Sequence, residues 1–275
     1  MKKFTTLVAI DFSRSSYVVL EKALEFTKKM DGELHVVHVV ESSFFSRNRN
    51  LDSIKANGFN ELKKNFSSIK EENYHCVSGK VKVEVSNTAK TLNADVIIMG
   101  NSGETHFLSE LLMGSHTKEI IKYAQTPVLV IKIDHEIEYK NILVLSDLSQ
   151  ESAQAIKKIA KIFPKSNITL INLYYLPVEN MLITYGVDQQ SIQEYQDSLR
   201  EESEQSVDLF LKSLALPKEI KITASALQSS LNPKEFKNEV ADINYDLLAI
   251  HATQNVSFFA FDILEQSAVD VFVLK

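Results

Sequence analysis

Two stretches of this chain, 136 residues apart, read almost alike. Lys3-Phe4-Thr5-Thr6-Leu7-Val8-Ala9-Ile10-Asp11-Phe12-Ser13 and Tyr139-Lys140-Asn141-Ile142-Leu143-Val144-Leu145-Ser146-Asp147-Leu148-Ser149 are apolar runs ending in Asp-x-Ser. Each passes into an amphipathic helical stretch. The ends repeat as well: Ala94-Asp95-Val96-Ile97-Ile98-Met99-Gly100 parallels Tyr245-Asp246-Leu247-Leu248-Ala249-Ile250-His251, and the run from Val128 to Lys132 parallels that from Val271 to Lys275. A period this long is no solenoid repeat; it marks a duplicated domain. The 275 residues suffice for two domains of ordinary size. The charged link 133–138 sets the expected limits at 1–135 and 136–275.

Within each copy, short β-branched runs alternate with helical patterns. The first copy predicts strands at 5–10, 34–40, 73–78, 95–99 and 127–132, with helices at 14–30, 57–71, 81–92 and 113–125. The second predicts strands near 140–146, 167–173, 219–226, 246–250 and 271–274, and a long charged helix over 188–213. Near-continuous apolar strands separated by helices mean a parallel sheet covered on both faces. Right-handed crossovers make each such sheet doubly wound. Ligands on these sheets bind beyond the carboxyl ends of the strands, where strand order reverses. Asp11 and Gly100, just past the first and fourth strands, are therefore the residues to inspect.

Bulk properties narrow the classes of partner. The net charge of −6 supplies no field toward nucleic acid or anionic lipid. No run approaches the roughly 18 uninterrupted apolar residues of a membrane span. The N-terminal apolar run is short and broken by Asp11, so it reads as a strand rather than a signal peptide. The single cysteine, Cys76, excludes an intrachain disulfide and a cysteine-rich metal cage. These features fit a cytoplasmic protein.

After the fourth strand stands Met99-Gly100-Asn101-Ser102-Gly103, then ten residues, then Gly114-Ser115-His116-Thr117 at a helix start. Glycines permit positive φ and close backbone approach. Backbone N–H groups at a helix start converge on an anion, and Ser115 and Thr117 add hydroxyls. The second copy keeps none of this: Gly100-Asn101-Ser102-Gly103 becomes His251-Ala252-Thr253-Gln254. From Gly100 to Lys132 is 32 steps, and from His251 to Lys275 is 24, so eight residues are missing. Of the seven glycines only Gly186 falls in the second copy.

On these residues the chain resembles a tandem universal stress protein. The resemblance implies a five-stranded parallel sheet of order 3-2-1-4-5 in each domain. ATP-binding members carry G-x2-G-x9-G-(S/T) after strand four and an Asp after strand one. Carried over, Asp11 and the backbone at Val39 would meet adenosine. Met99, Gly100, Asn101, Gly103, Gly114, Ser115, His116 and Thr117 would surround the phosphates of ATP, ADP or AMP, with Mg²⁺ alongside. This chain has ten residues, Glu104 to Met113, where the family pattern has nine. Family dimers often pair through their last strands, which here are 127–132 and 271–274. The two copies would then form an intramolecular pseudo-dimer, and a homodimer of the whole chain is the further expectation.

Other residues remain open to two readings. Asp11, like its counterpart Asp147, suits either a nucleotide contact or the cap of the following helix. His35 and His38, at i and i+3 on a strand, point to opposite faces and do not share a metal. His106 and His116 lie in or beside the loop. Cys76 reads as a small buried hydrophobe. No convincing general base or nucleophile stands out, so no catalytic residue and no metal site is assigned. Slow hydrolysis of bound ATP stays open. The leading expectation is a regulatory protein holding an adenine nucleotide in its first domain. The alternative is a stress-response scaffold that binds no nucleotide. An adenylating enzyme would need glycines directly after the first strand, where this chain has Asp11-Phe12-Ser13-Arg14-Ser15-Ser16.

Overall fold

The computed structural model describes residues 2–41, 50–101, 113–132, 138–175, 179–229, 232–252 and 258–275. Ten strands lie along them: β1 (Thr5–Ala9), β2 (Glu33–Val40), β3 (Tyr74–Ser78), β4 (Val96–Gly100), β5 (Val128–Ile131), β6 (Asn141–Leu145), β7 (Asn167–Tyr174), β8 (Lys221–Gln228), β9 (Leu247–His251) and β10 (Asp270–Leu274). The helices are α1 (Arg14–Lys29), α2 (Leu51–Asn65), α3 (Val81–Leu92), α4 (Ser115–Tyr123), α5 (Gln150–Ile162), α6 (Glu179–Thr184), α7 (Gln189–Ser213), α8 (Pro233–Glu239) and α9 (Phe258–Gln266).

Contacts divide the chain into two units. The first is Met1–Glu138 with Ala252–Val256 and Asp270–Lys275; the second is Tyr139–His251 with Ser257–Val269. In the first unit, β3-β2-β1-β4-β5 form a parallel sheet in the order expected. Strand β10 extends it, running antiparallel to β5 with Phe272 opposite Leu129. The second unit holds four parallel strands in the order β9-β6-β7-β8. The fifth strand expected of the second copy is β10, and its contacts place it in the first unit.

The central strands are hydrophobic on both faces because helices cover both. Leu7, Val8, Val96, Ile97, Ile98, Val128 and Leu129 are fully buried, as are Leu143, Leu247 and Ala249 in the second unit. Helix α1 buries Val19, Leu20, Ala23 and Phe26 at helical spacing, and Lys28 and Lys29 in its last turn complement its dipole. Helix α2 lies six residues earlier than the predicted 57–71. Its start is set by Asn50, whose side chain accepts from the Asp52 N–H. A 3₁₀ turn, Glu71–Asn73, begins at the last residue of the predicted span. The long α7 buries only Ile192, Val207 and Phe210, so its charged residues form a solvated face.

The same backbone contacts recur in the two units. The Glu33 N–H donates to the Phe4 carbonyl at 2.7 Å, and the Asn167 N–H to the Lys140 carbonyl at 2.8 Å. The Thr5 N–H is held by the Asp95 carboxylate at 2.8 Å, and the Asn141 N–H by Asp246 at 3.1 Å. Each acid ties the entry of β4 or β9 to the first strand of its own copy.

Beneath α2 lies an aromatic cluster. Tyr74 is 1% exposed and packs against Phe59 and Phe12. Among the described residues its hydroxyl is buried without a conventional hydrogen-bond partner; the Cys76 thiol beside it is a weak one. Burial raises both the Tyr74 phenol and the Cys76 thiol. Gly58 makes the close approach possible, because a Cβ there would lie 2.3 Å from Tyr74 Oη and 3.0 Å from Phe12 Cζ. On β2 and β3, His35 Nδ1 and His75 Nε2 meet at 3.0 Å with their rings stacked. Burial lowers both imidazoles; Glu33 opposes this at His35, while His35 and Lys55 add to it at His75.

Two predictions follow from this packing. Alanine at 58 gains about 1 kcal/mol in helix propensity but overpacks the cluster at a cost of about 1–3 kcal/mol. Gly58→Ala should therefore lower the denaturant midpoint, and adding Tyr74→Phe should restore it. Equal loss in single and double variants would contradict the contact. For the histidines, a folded pKa below the unfolded value near 6.5 means that the unfolded chain binds more protons under acid conditions. Their stabilisation is full above about pH 6.5 and declines as pH falls toward the folded values. Melting temperature between pH 8 and 5 should drop less in His35→Gln/His75→Gln than in the unaltered chain.

Candidate ligand site

The chain leaves β1 through a tight elbow. Asp11 Oδ1 accepts from the Ser13 N–H at 3.0 Å, closing an Asx turn. This forces Phe12 into the left-handed region, φ 65°, at a cost of about 1–3 kcal/mol. Ser13 then caps α1, its Oγ accepting from the Ser16 N–H at 3.1 Å. The cap is thus Ser13, and Asp11 acts one step earlier by shaping the approach to it. Burial pushes the Asp11 carboxyl up, but hydrogen bonds from Ser13 and Ser16 outweigh it and hold the group below its ordinary value. Asp11 is exposed, so part of the carboxylate still faces solvent.

Strand β2 buttresses this elbow. The Ile10 N–H donates to the Val37 carbonyl at 3.0 Å. His38 Nδ1 lies 3.0 Å from the Ile10 carbonyl oxygen. A carbonyl only accepts, so Nδ1 carries the proton. The His38 ring also meets Phe12 edge-on at 4.8 Å.

At the other side, the Thr117 hydroxyl donates to the Gly100 carbonyl at 3.0 Å, and the Gly114 N–H donates to the Asn101 carbonyl at 2.7 Å. The start of α4 is therefore pinned to the end of β4, whatever the length of the chain between. The extra residue relative to the family pattern does not pull Gly114 away from Asn101. Thr117 is buried and its hydroxyl is engaged by the loop carbonyls, which differs from the expected role as a free donor. Neither Gly100 nor Gly114 has positive φ, so left-handed backbone is not what glycine supplies at these two positions.

Among the described residues no side chain caps the start of helix α4, whose N-cap position is Gly114. Its first N–H groups, from Ser115 to Thr117, carry the positive end of the helix dipole. Ser115 and His116 are exposed there. His116 Nε2 lies 3.8 Å from Glu41 Oε1 at the end of β2. Asn101 Oδ1 is buried and has no hydrogen-bond partner among the described residues.

These parts surround a pocket of about 480 Å³ over the carboxyl ends of β1, β2 and β4. Asp11, Val39, Met99, Gly100, His116 and Thr117 line it, with Ser13, Ser15, His38 and Glu41. Asn101, Gly114 and Ser115, also expected at the site, are not among its lining residues; they adjoin Gly100 and His116 in the chain. Gly103 and His106 lie outside the described residues. Sequence reasoning missed His38 as a pocket residue, because a histidine inside an apolar strand reads as core. Its signal was its position, directly opposite the residue before Asp11.

The second unit repeats the elbow. Asp147 Oδ1 accepts from the Ser149 N–H at 3.0 Å, Leu148 has φ 59°, and Ser149 Oγ accepts from the Ser152 N–H at 3.1 Å. The Asn172 amide donates to the Ser146 carbonyl at 2.9 Å, as His38 does to Ile10. Burial raises the Asp147 carboxyl, and the Ser149 and Ser152 hydrogen bonds bring it below its ordinary value. Here the elbow survives beside His251-Ala252 in place of Gly100-Asn101. An Asp in this position is thus accounted for by backbone geometry alone. Among the described residues no group of three or more metal-ligating side chains occurs, and no helix is long and apolar enough to cross a membrane.

Comparison with known proteins agrees with this architecture. A family model, the universal stress protein family, matches residues 4–132. Universal stress protein A homolog 1 of Coxiella burnetii is 34% identical over 136 residues, which cover 46% of this chain and 93% of that protein. Universal stress protein MJ0531 of Methanocaldococcus jannaschii is 30% identical over 138 residues, covering 46% of this chain and 80% of that one. Among solved structures, a universal stress protein from Archaeoglobus fulgidus superposes with a TM-score of 0.67 at 17% identity, covering 98% of both chains. That likeness is one of fold, and it extends over the whole chain. With its first half aligned to nearly the full length of a 34% identical relative, this chain belongs to the universal stress protein family.

Proposed function

We propose that the first unit is a regulatory adenine-nucleotide-binding domain, taking ATP or a related adenine nucleotide, and that the second copy is a degenerate partner. The single observation that carries this reading is the uncapped start of α4, pinned beside Gly100 and opening on the same pocket as Asp11. A helix start with free N–H groups is a ready anion site. A pocket of about 480 Å³ falls in the range that holds a small-molecule ligand. Asn101 Oδ1, buried and without a hydrogen-bond partner among the described residues, is an acceptor that a ribose hydroxyl or a water would satisfy. The resemblance of the loop to that of ATP-binding family members supports the same assignment. Mg²⁺ would come with the phosphates, which supply most of its oxygen ligands in such sites.

The unequal halves support a division of labour. The second copy keeps the elbow but not the glycine segment, so an adenosine-side support persists without a phosphate cradle. The antiparallel pairing of β5 with β10, the last strands of the two copies, is the pairing expected of a pseudo-dimer.

Calorimetric titration of the purified chain with ATP, ADP and AMP at up to millimolar concentration, with and without Mg²⁺, tests the reading. Saturable binding of at least one nucleotide is expected. A folded chain that binds none of them would favour the nucleotide-independent scaffold. The two elbows provide an internal control. Asp11→Ala and Asp147→Ala should each lower stability by about 1 kcal/mol, the worth of one lost turn-closing hydrogen bond. Only Asp11→Ala should also weaken nucleotide binding, by about tenfold, equivalent to one hydrogen bond of roughly 1.4 kcal/mol. Equal effects of both variants on binding would remove Asp11 from the ligand site.

A further inference from the structure

We propose that Glu41 is a specificity-determining residue of the pocket. Its carboxylate, set beside the start of α4 through His116, is a resident anion that makes the site discriminate among ligands by their phosphate charge. This role rests on the nucleotide reading of the first unit and adds the residue that ranks one adenine ligand against another.

Backbone contacts hold both partners. The Gly79 N–H donates to the Val40 carbonyl at 3.1 Å, and Val40 is in register with Ser78 at the end of β3. Glu41 therefore follows directly on a fixed strand end. His116 sits in the first turn of α4, which Gly114 and Thr117 pin to the end of β4. Strand β1 lies between β2 and β4, which places those two strands about 10 Å apart at about 4.8 Å per strand. Glu41 Oε1 and His116 Nε2 come within 3.8 Å, so their contact joins the ends of two strands that β1 separates. Both residues line the pocket.

Stability does not account for this contact. The His116 and Glu41 side chains are 55% and 38% exposed, and an exposed ion pair contributes little. An imidazole also neutralises a carboxylate only while it carries a proton. What the contact does is bring a negative charge to the helix start, where the dipole and the Ser115–Thr117 N–H groups attract anions. A phosphate arriving there meets the attraction of the helix and the repulsion of Glu41 together. Asp11, the other carboxylate lining the pocket, has Oδ1 committed to the elbow. Among the described residues no lysine or arginine lines the pocket to offset the two acids. The repulsion grows with each unit of charge on the ligand, and Mg²⁺ or salt reduces it. Adenosine carries no such charge, AMP carries some, and ATP without Mg²⁺ carries most.

Calorimetric titration of the full chain and of Glu41→Gln with adenosine, AMP and ATP, the last with and without Mg²⁺, tests this. The variant should keep the melting temperature of the unaltered chain, since only an exposed contact is lost. Its affinity for adenosine should be unchanged, with AMP bound about threefold tighter and Mg²⁺-free ATP about tenfold tighter. The gain for ATP should shrink when Mg²⁺ or high salt is added. Glu25→Gln, which removes an exposed acid from the second half of α1, should alter none of these affinities. An equal gain for adenosine and ATP, or no gain for a phosphate ligand that the unaltered chain binds, would overturn the role of Glu41 and leave the nucleotide reading in place. Failure of every ligand to bind either folded form would overturn the two together.

Discussion

The elbow after the first strand is the constraint on which the site depends. One carboxylate oxygen accepting one backbone N–H turns the chain through a left-handed residue and delivers the next serine as a helix cap. Without it, α1 would leave the end of the central strand β1 at another angle and the pocket floor would lose its shape. The strain at Phe12 is offset locally: the ring packs against Tyr17, His38 and Tyr74. The second unit pays the same strain at Leu148 with the same device. Structural need explains why Asp147 persists where the loop does not.

Much of this was legible in the chain itself. The β-branched runs marked the strands, and the 136-residue period with its Asp-x-Ser signatures marked the duplication, while the strand order was an implication of the family resemblance. The runs mark strands because a strand buried on both faces must be apolar throughout, and few other structures need such a run. Helix boundaries were less visible. The apolar pattern of α2 extends past its end into Phe66 and Ile69, which are buried although they lie beyond the helix. The first turn is announced only by Asn50 and Asp52, polar residues that also suit a loop.

Side-chain roles at the site were the least legible. Thr117 resembles a free phosphate donor in a linear motif, yet its hydroxyl is committed to Gly100 and Asn101. His35 was weighed only against His38 on its own strand, because its partner, His75, is forty residues away and is brought beside it by the registry of β2 on β3. Cross-strand neighbours are set by register, and register is not written in either strand alone. The inequality of the two copies, by contrast, is visible as a missing segment: the elbow recurs at Asp147, while the glycines that follow the fourth strand of the first copy do not recur.

The central claim is that nucleotide binding belongs to the uncapped start of α4 and the Asp11 elbow of the first unit. Backbone amide chemical shifts recorded during titration with an adenine nucleotide test it most directly. The account predicts that shifts concentrate at Gly100, Asn101, Ser115, His116 and Thr117, with Ser13 following, while Ser149 and Ser152 stay in place. Shifts centred on Ser149 and His251, or none on the α4 amides at saturation, would contradict it.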